Sequence, residues 1–470
     1  MNLPKVFVLH ALRTDSRSTT ISHVACFGRY LAGCEIEYVN VFGKIPNQTK
    51  SELVIVTYEL VALRNLPIWN DLVQRISPIL RDAKLRVVMP QDDYSSCDVL
   101  DQFVVEQNFD FVFTPITRDL EQLYPKSLQT GVKFHEAFTG YFEQSDWAYL
   151  EQFSQPFEKR TVDIGQRVRH LPPQLGEVAG RKGQLAVEFA HLASGAGFFC
   201  DVSTRAEDVF VGDNWWKFLG NSKFTVSRKG GASMTDPKGR LADRVRRYQL
   251  RHPNATMEQI AQKVSFKGGR EGEFSAISPR LFEAAALGVC QILEPSHYVD
   301  GFEPWIHYIP LTEDFSNIDD VFEVMRDVER CKSIVQASQD LLLRSNAHSY
   351  SSFVELFSKV VQIGEVAQVS QQLRDSSSSF DGEFGQKSGS IHWVQDYVRR
   401  AFLKRKIKQA LENLHEGKLL ILDSKDVDWS DLSEADCCSL ITWLESFRDG
   451  DLIIESYELP WRTMSSLVRH

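Results

Sequence analysis

Short, wholly apolar runs alternate with amphipathic stretches through most of this chain. After Pro4, Lys5-Val-Phe-Val-Leu9 offers almost no polar position to turn toward water, the pattern of a strand covered on both faces in a parallel sheet. Polar residues follow from Arg13 to Thr19, and then Ile21, Val24, Ala25 and Leu31 recur with helical spacing. The same periodicities predict strands over 36–41, 53–57, 85–89 and 110–114, and helices over 69–83, 99–107 and 118–124. Parallel neighbours need a long crossover, usually a helix, so this order predicts a doubly wound parallel sheet of α/β class.

A second alternating unit starts near Thr161, past an aromatic and acidic stretch over 141–158 that reads as a crossing between domains. It predicts strands over 162–164, 198–202 and 223–227, with helices over 183–193 and 215–219. Residues 237–276 read as an insertion of short helices, with 267–273 as a loop over the cleft. The best-marked stretch is Ile277-Ser-Pro-Arg-Leu-Phe-Glu-Ala-Ala-Ala-Leu-Gly-Val-Cys-Gln-Ile-Leu293. Ser278 suits a helix cap, Pro279 the first helical position, and Gly288 the stop before a buried strand. A further strand is expected over 305–311, a helix through Val321, Val324 and Met325, and a long amphipathic segment over 333–361. The polar, unpatterned stretch 368–389 reads as a linker. The expected organisation is a first Rossmann-like domain over 1–145, a second over 146–365, a linker over 366–390 and an extension over 391–470.

In doubly wound sheets, ligands bind beyond the carboxyl ends of the strands. The residues there are His10, Tyr58-Glu59, Gln91-Asp92-Asp93-Tyr94 and Thr114. His10 and Glu59 are candidates for the acceptor side, and Asp92 or Asp93 for a base. Each has a structural alternative: an aspartate can cap the following helix, and a histidine can satisfy a backbone group. In the second unit, Arg167, Arg169 and Lys182 fall in a Pro/Gly-rich stretch. Arg280 sits in the first turn of its helix, where a cation opposes the dipole unless an anion docks beside it. Free N–H groups and a guanidinium together suit a phosphate or diphosphate.

Ser278-Pro-Arg-Leu-Phe-Glu283, followed by small residues, Gly288 and an apolar strand, resembles the donor-site helix of group-one two-domain glycosyltransferases, and among them the spore-maturation-protein-like subset. The resemblance covers both alternating units and implies the B-type architecture, two facing Rossmann-like domains with a cleft between them. It implies that Ser278 and Arg280 face the diphosphate of a nucleotide-sugar and that Glu283 holds ribose hydroxyls. It also implies that Arg167, Arg169 and Lys182 meet the diphosphate, that His307 touches the sugar, and that a helix within 333–361 returns to the first domain. Relatives often carry a second glutamate eight residues before the first; here that position is Ser275, with Glu271 or Glu273 as substitutes through a shifted loop. The implied activity moves a sugar from a nucleotide-diphosphate donor to a hydroxyl of a polysaccharide, glycolipid or protein. Side-chain cations would act in place of a metal, with no cofactor. A nucleotide-sugar epimerase and a non-catalytic sugar-binding scaffold are the alternatives on this fold.

Composition narrows the classes. A net charge of −10 argues against a nucleic-acid partner. The eight cysteines are scattered, without Cys-x-x-Cys spacing, which supports neither a zinc site nor a disulfide framework. No signal-like or membrane-spanning apolar run is present, so a cytoplasmic protein is expected. Residues 391–414 pattern as a basic amphipathic helix suited to the inner face of an anionic membrane or to a protein partner. The acidic stretch over 423–436 offers a counter-charge within the chain, which favours docking on protein. Asp426-Val-Asp428 lies in this extension and is assigned no ligand role. No Gly-Lys-Ser/Thr loop and no Gly-x-Ser-x-Gly elbow occurs, which removes the corresponding ATPase and hydrolase readings.

Overall fold

The computed structural model describes residues 3–366, apart from positions 14, 15, 17, 67, 170 and 211, and a short pairing of Leu420–Ile421 with Val468–Arg469. The expected linker over 368–389, the expected basic helix over 391–414 and the acidic stretch over 423–436 lie outside the described residues.

Six parallel strands form the first sheet: β1 (Lys5–His10), β2 (Glu35–Asn40), β3 (Ser51–Val56), β4 (Ala83–Val88), β5 (Phe111–Thr114) and β6 (Lys133–Glu136). Their spatial order is β2-β1-β3-β4-β5-β6. Within β1 the side chains alternate: Phe7 and Leu9 join one apolar layer, Val6 and Val8 the other. Both faces are therefore dry, which is why the run carries no polar alternation. Strand β6 escapes the periodicity because it lies at the sheet edge, where Lys133 and Glu136 stay exposed.

The second sheet contains β7 (Val162–Arg167), β8 (Cys200–Ser203) and β9 (Ser222–Ser227). A hairpin of β10 (Gly230–Met234) and β11 (Glu271–Ala276) follows, and then β12 (Cys290–Leu293) and β13 (Ile309–Pro310) complete the sheet. Its order is β13-β12-β9-β7-β8, again parallel. The strand expected over 305–311 shrinks to two residues. Trp305 takes φ 65° and its N–H donates to Tyr308 O, so the chain turns there before it can pair.

The segment expected as a loop over 267–273 instead leads into β11, and the hairpin seats one side chain of each strand in the opposite half. Ala232 and Phe274 are fully buried and belong to the apolar layer of the first sheet. Gly231 makes the pairing possible: its φ is +125°, and a Cβ there would lie 2.1 Å from Phe274 O. Asp236 N–H donates to Tyr94 O, and Arg270 reaches the Asp98 carboxylate at 2.8 Å. A second connection runs through the crossing chain, where Phe142 N–H donates to His348 O. Beyond it, the Tyr350–Val361 helix lays Tyr350, Phe353 and Phe357 against the first sheet. The cleft between the halves is thus held at both sides.

Candidate functional site

Between the halves lies a cavity of about 570 Å³. Its first wall consists of residues just past the carboxyl ends of the first sheet: Ala11 and Arg13 after β1, Tyr58 and Glu59 after β3, Gln91 and Asp92 after β4, and Pro115 after β5. Its second wall is Lys182, Gly230 and the segment Ala276 to Pro279. Parallel strands all end on the same edge, so residues far apart in sequence meet there.

Lys182 projects from the Glu177–Gly195 helix, whose start abuts β10: Val178 N–H donates to Ser233 Oγ. A Cβ at Gly230 would lie 3.7 Å from Lys182 Nζ, so the glycine leaves the ammonium room. No acceptor among the described residues pairs with Lys182. Burial and the guanidiniums of Arg280 and Arg228 push its pKa down to about 8. Three cations thus converge on one side of the cleft. Arg228, directly after β9, is offset by Glu294 at 3.1 Å. Arg280 donates to Arg167 O at 2.6 Å and lies over the Trp215 ring, 4.7 Å from its centroid. The Arg280 and Arg228 side chains, with Ser278, line a smaller adjoining pocket.

The helix expected from Ser278 starts later, over Arg280–Ala286, with Pro279 at its cap. The first turn is tight: Leu281 N–H donates to Ser278 O, and Ser278 Oγ lies only 3.4 Å from Arg280 N. Ser278 therefore faces both cavities rather than serving as a regular side-chain cap. Gly288, at φ +64°, ends the helix at the expected residue.

Other donor-side candidates point elsewhere. Arg167 bonds Asp201 at 2.8 Å and lies over Phe218, toward the β8 edge. Arg169 is exposed and lines neither cavity. Glu283 accepts from Trp215 Nε1 at 3.1 Å, and so it braces the ring that carries Arg280. His307 accepts from Glu303 N–H and stacks on Phe302, outside both cavities. Glu273 pairs with Arg118 of the first half, and Ser275 lies opposite Gly231 within the hairpin.

On the first wall, His10 turns inward: its Nδ1 accepts from Leu12 N–H, and burial lowers its pKa to about 3. Asp93 is fully buried and accepts from Thr114 and Tyr124 hydroxyls; burial raises its carboxyl above the usual range. Asp92, at φ +52°, accepts from Tyr94 OH and stays exposed at the cleft. Glu59 also reaches the cleft. Thr57 Oγ1 donates to its Oε1, while its buried Oε2 has no hydrogen-bond partner among the described residues. Burial raises this carboxyl to about 7, against the pull of the Thr57 hydroxyl and nearby backbone N–H groups. Sequence reasoning missed Arg228 and Trp215. Arg228 had a readable signal, a cation immediately beyond a parallel strand; Trp215 had none, because only folding brings it under Arg280. Among the described residues, no group of three or more His, Cys, Asp or Glu is arranged to hold a metal, and no helix is long and apolar enough to cross a membrane.

No family model matches this chain, and no curated protein matches it in sequence. Among solved structures, it is similar to Anabaena HepE in complex with UDP-glucose: 11% identity, 76% of this chain and 99% of the other covered, TM-score 0.39. It is similar to an α1,3-fucosyltransferase at 9% identity, with 77% and 91% covered and a TM-score of 0.39. A glycosyltransferase from Rickettsia africae is 10% identical, with 77% and 100% covered and a TM-score of 0.30.

Proposed function

We propose that this protein is a glycosyltransferase that takes a sugar from a nucleotide-diphosphate donor bound between its two sheets. The observation that carries the reading is Lys182, a cation in the inter-sheet cleft with no anion of its own among the described residues, beside two guanidiniums that repel it. Such a group gains most from a ligand that brings negative charge, and a diphosphate does so at a strand-end cleft. As the bond to the sugar breaks, charge develops on the departing phosphate oxygen. An ammonium already in place stabilises it without reorganisation. Ser278 and the backbone of the Ala276–Pro279 wall offer the neutral contacts. The acceptor hydroxyl belongs on the opposite wall, between Glu59, Asp92 and Tyr58.

The test is a panel of UDP-, GDP- and dTDP-sugars, read first as a rise in melting temperature and then as nucleoside diphosphate release with simple glycosides as acceptors. Release that depends on an acceptor is the expected result. An isomerised donor instead identifies an epimerase, and binding without turnover identifies a sugar-binding scaffold. A panel that neither stabilises the protein nor competes with UDP refutes the reading.

A further inference from the structure

We propose that the acceptor is an anionic glycan, a polymer with repeated carboxylate or phosphodiester charges, and that it runs from the cleft along a stripe of cations on the Arg240–Arg251 helix. The inference rests on the donor reading above and names the acceptor class for the same cleft.

Residues 237–270 join β10 to β11 and carry nine lysines and arginines against two acidic residues, in a chain whose net charge is −10. The surplus is organised. Arg240, Arg244, Arg247 and Arg251 recur every three or four positions, so they share one side of their helix. Leu241 is buried on another side, and Val245 joins a small apolar cluster with Ile260 and Val264. Arg244 donates to Ser265 O and Lys267 O, which brings Lys267 beside the stripe. Lys238, Arg240, Arg251, Lys263 and Lys267 are all exposed.

The stripe starts at the cleft. Asp236 N–H donates to Tyr94 O, Asp98 N–H donates to Pro237 O, and Tyr94 lines the large cavity. Lys238 is two residues past Asp236, so its Cα lies within about 8 Å of that anchor. From there the helix carries its cations along for about 16 Å, at about 1.5 Å per residue. Each exposed cation is worth little against a single anion, and a polymer sums several such contacts in one binding event. Arginine forks and ammoniums pair equally with carboxylate and phosphate oxygens, so the class is set by charge and repeat rather than by one sugar. Two other anionic occupants fit less well. A helix that lies on a lipid surface buries apolar side chains in it. Among the described residues, no large exposed hydrophobic side chain falls within 237–270. The acidic stretch over 423–436 has the basic stretch over 391–414 nearer to it along the chain.

The full-length protein is compared with a variant that combines Lys238→Gln, Arg240→Gln, Arg251→Gln and Lys267→Gln, all changes at exposed positions. The probes are polygalacturonate, a teichoic-type phosphodiester polymer, neutral dextran and phosphatidylglycerol vesicles, each at low ionic strength. One or both charged polymers should bind wild type and dextran should not. The variant should bind them at least about fivefold more weakly, since four exposed pairs each contribute a factor of about 1.5–5. UDP affinity should stay within about twofold, because the donor wall is untouched. The bound polymer should protect amides of residues 91–96 as well as 238–251 from hydrogen exchange, and in transfer the KM for the charged acceptor should rise in the variant more than kcat falls. Five results overturn the proposal: neither charged polymer binds, the variant binds as wild type does, protection is confined to the helix, the vesicles bind more tightly than the polymers, or binding appears only after the six acidic residues of 423–436 are neutralised. All of these leave the donor reading standing. Wild type that fails to bind UDP sinks the donor reading instead, whatever the polymers do.

Discussion

Replacing Lys182 with methionine keeps the apolar stem and removes the charge. Lys182 is held at a pKa of about 8 against an ordinary 10.5, which at about 1.4 kcal/mol per pH unit corresponds to roughly 3 kcal/mol. Water in the cleft screens part of this, leaving about 1–2 kcal/mol. The sign follows from proton linkage. The native state binds the lysine proton less tightly than the unfolded chain, so the cost is full below pH 8 and fades between 8 and 10.5. At pH 7, Lys182→Met should therefore be more stable than wild type by about 1–2 kcal/mol, or about 2–4 °C in melting temperature. The same change should weaken UDP by about 10–100-fold, the worth of one charge-assisted hydrogen bond. Saturating UDP, at about 100 times its wild-type dissociation constant, stabilises wild type by about 2.7 kcal/mol and the variant by only about 0.4–1.4 kcal/mol, which should close or reverse the gap between the melts. Urea titrations at pH 7 and pH 10, with and without UDP, measure all of this. A variant that is less stable at pH 7, or that binds UDP unchanged, refutes the reasoning.

Three further outcomes follow from the same structure. Glu59 binds its proton more tightly when folded, so the protein loses stability as pH rises from about 4.5 to 7; Glu59→Gln should match wild type in urea at pH 4.5 and exceed it by about 1–3 kcal/mol at pH 8. Phe274→Ala should cost about 3–5 kcal/mol by chemical denaturation and expose the hairpin to limited proteolysis, because Phe274 fills the core of the opposite half. Asp93→Asn should cost about 1–3 kcal/mol, since its amide faces the site of a partnerless oxygen, while kcat changes by less than about threefold.

Much of the framework was legible in the pattern of apolar runs. The runs at 5–9 and 53–57, and the alternation around 162–227, are buried strands whose neighbours in sequence supply the crossovers, and local periodicity carries that information. Edge strand β6 and the β10–β11 hairpin were not legible. An edge strand has one wet side, and the hairpin is held by Phe274 seated in a layer built from residues more than a hundred positions earlier. At the site, strand ends pointed to Glu59 as a position, and Lys182 came from the family resemblance, placed in a Pro/Gly-rich stretch where the fold has a helix; the roles of their neighbours depended on what each side chain met.

Sequence by itself determined that two alternating α/β units exist, that their strand ends carry polar groups, and that a helix follows Pro279, because each rests on residues close along the chain. Tertiary structure decided which polar groups remain available: Arg167 is taken by Asp201 and Glu283 by Trp215, and Asp93 is enclosed away from both cavities, whereas among the described residues Lys182 on the cavity wall has no counter-ion. The physical reason is that a side chain's charge and hydrogen-bonding capacity are consumed by whichever partners packing brings near, and those partners come from other elements of the fold.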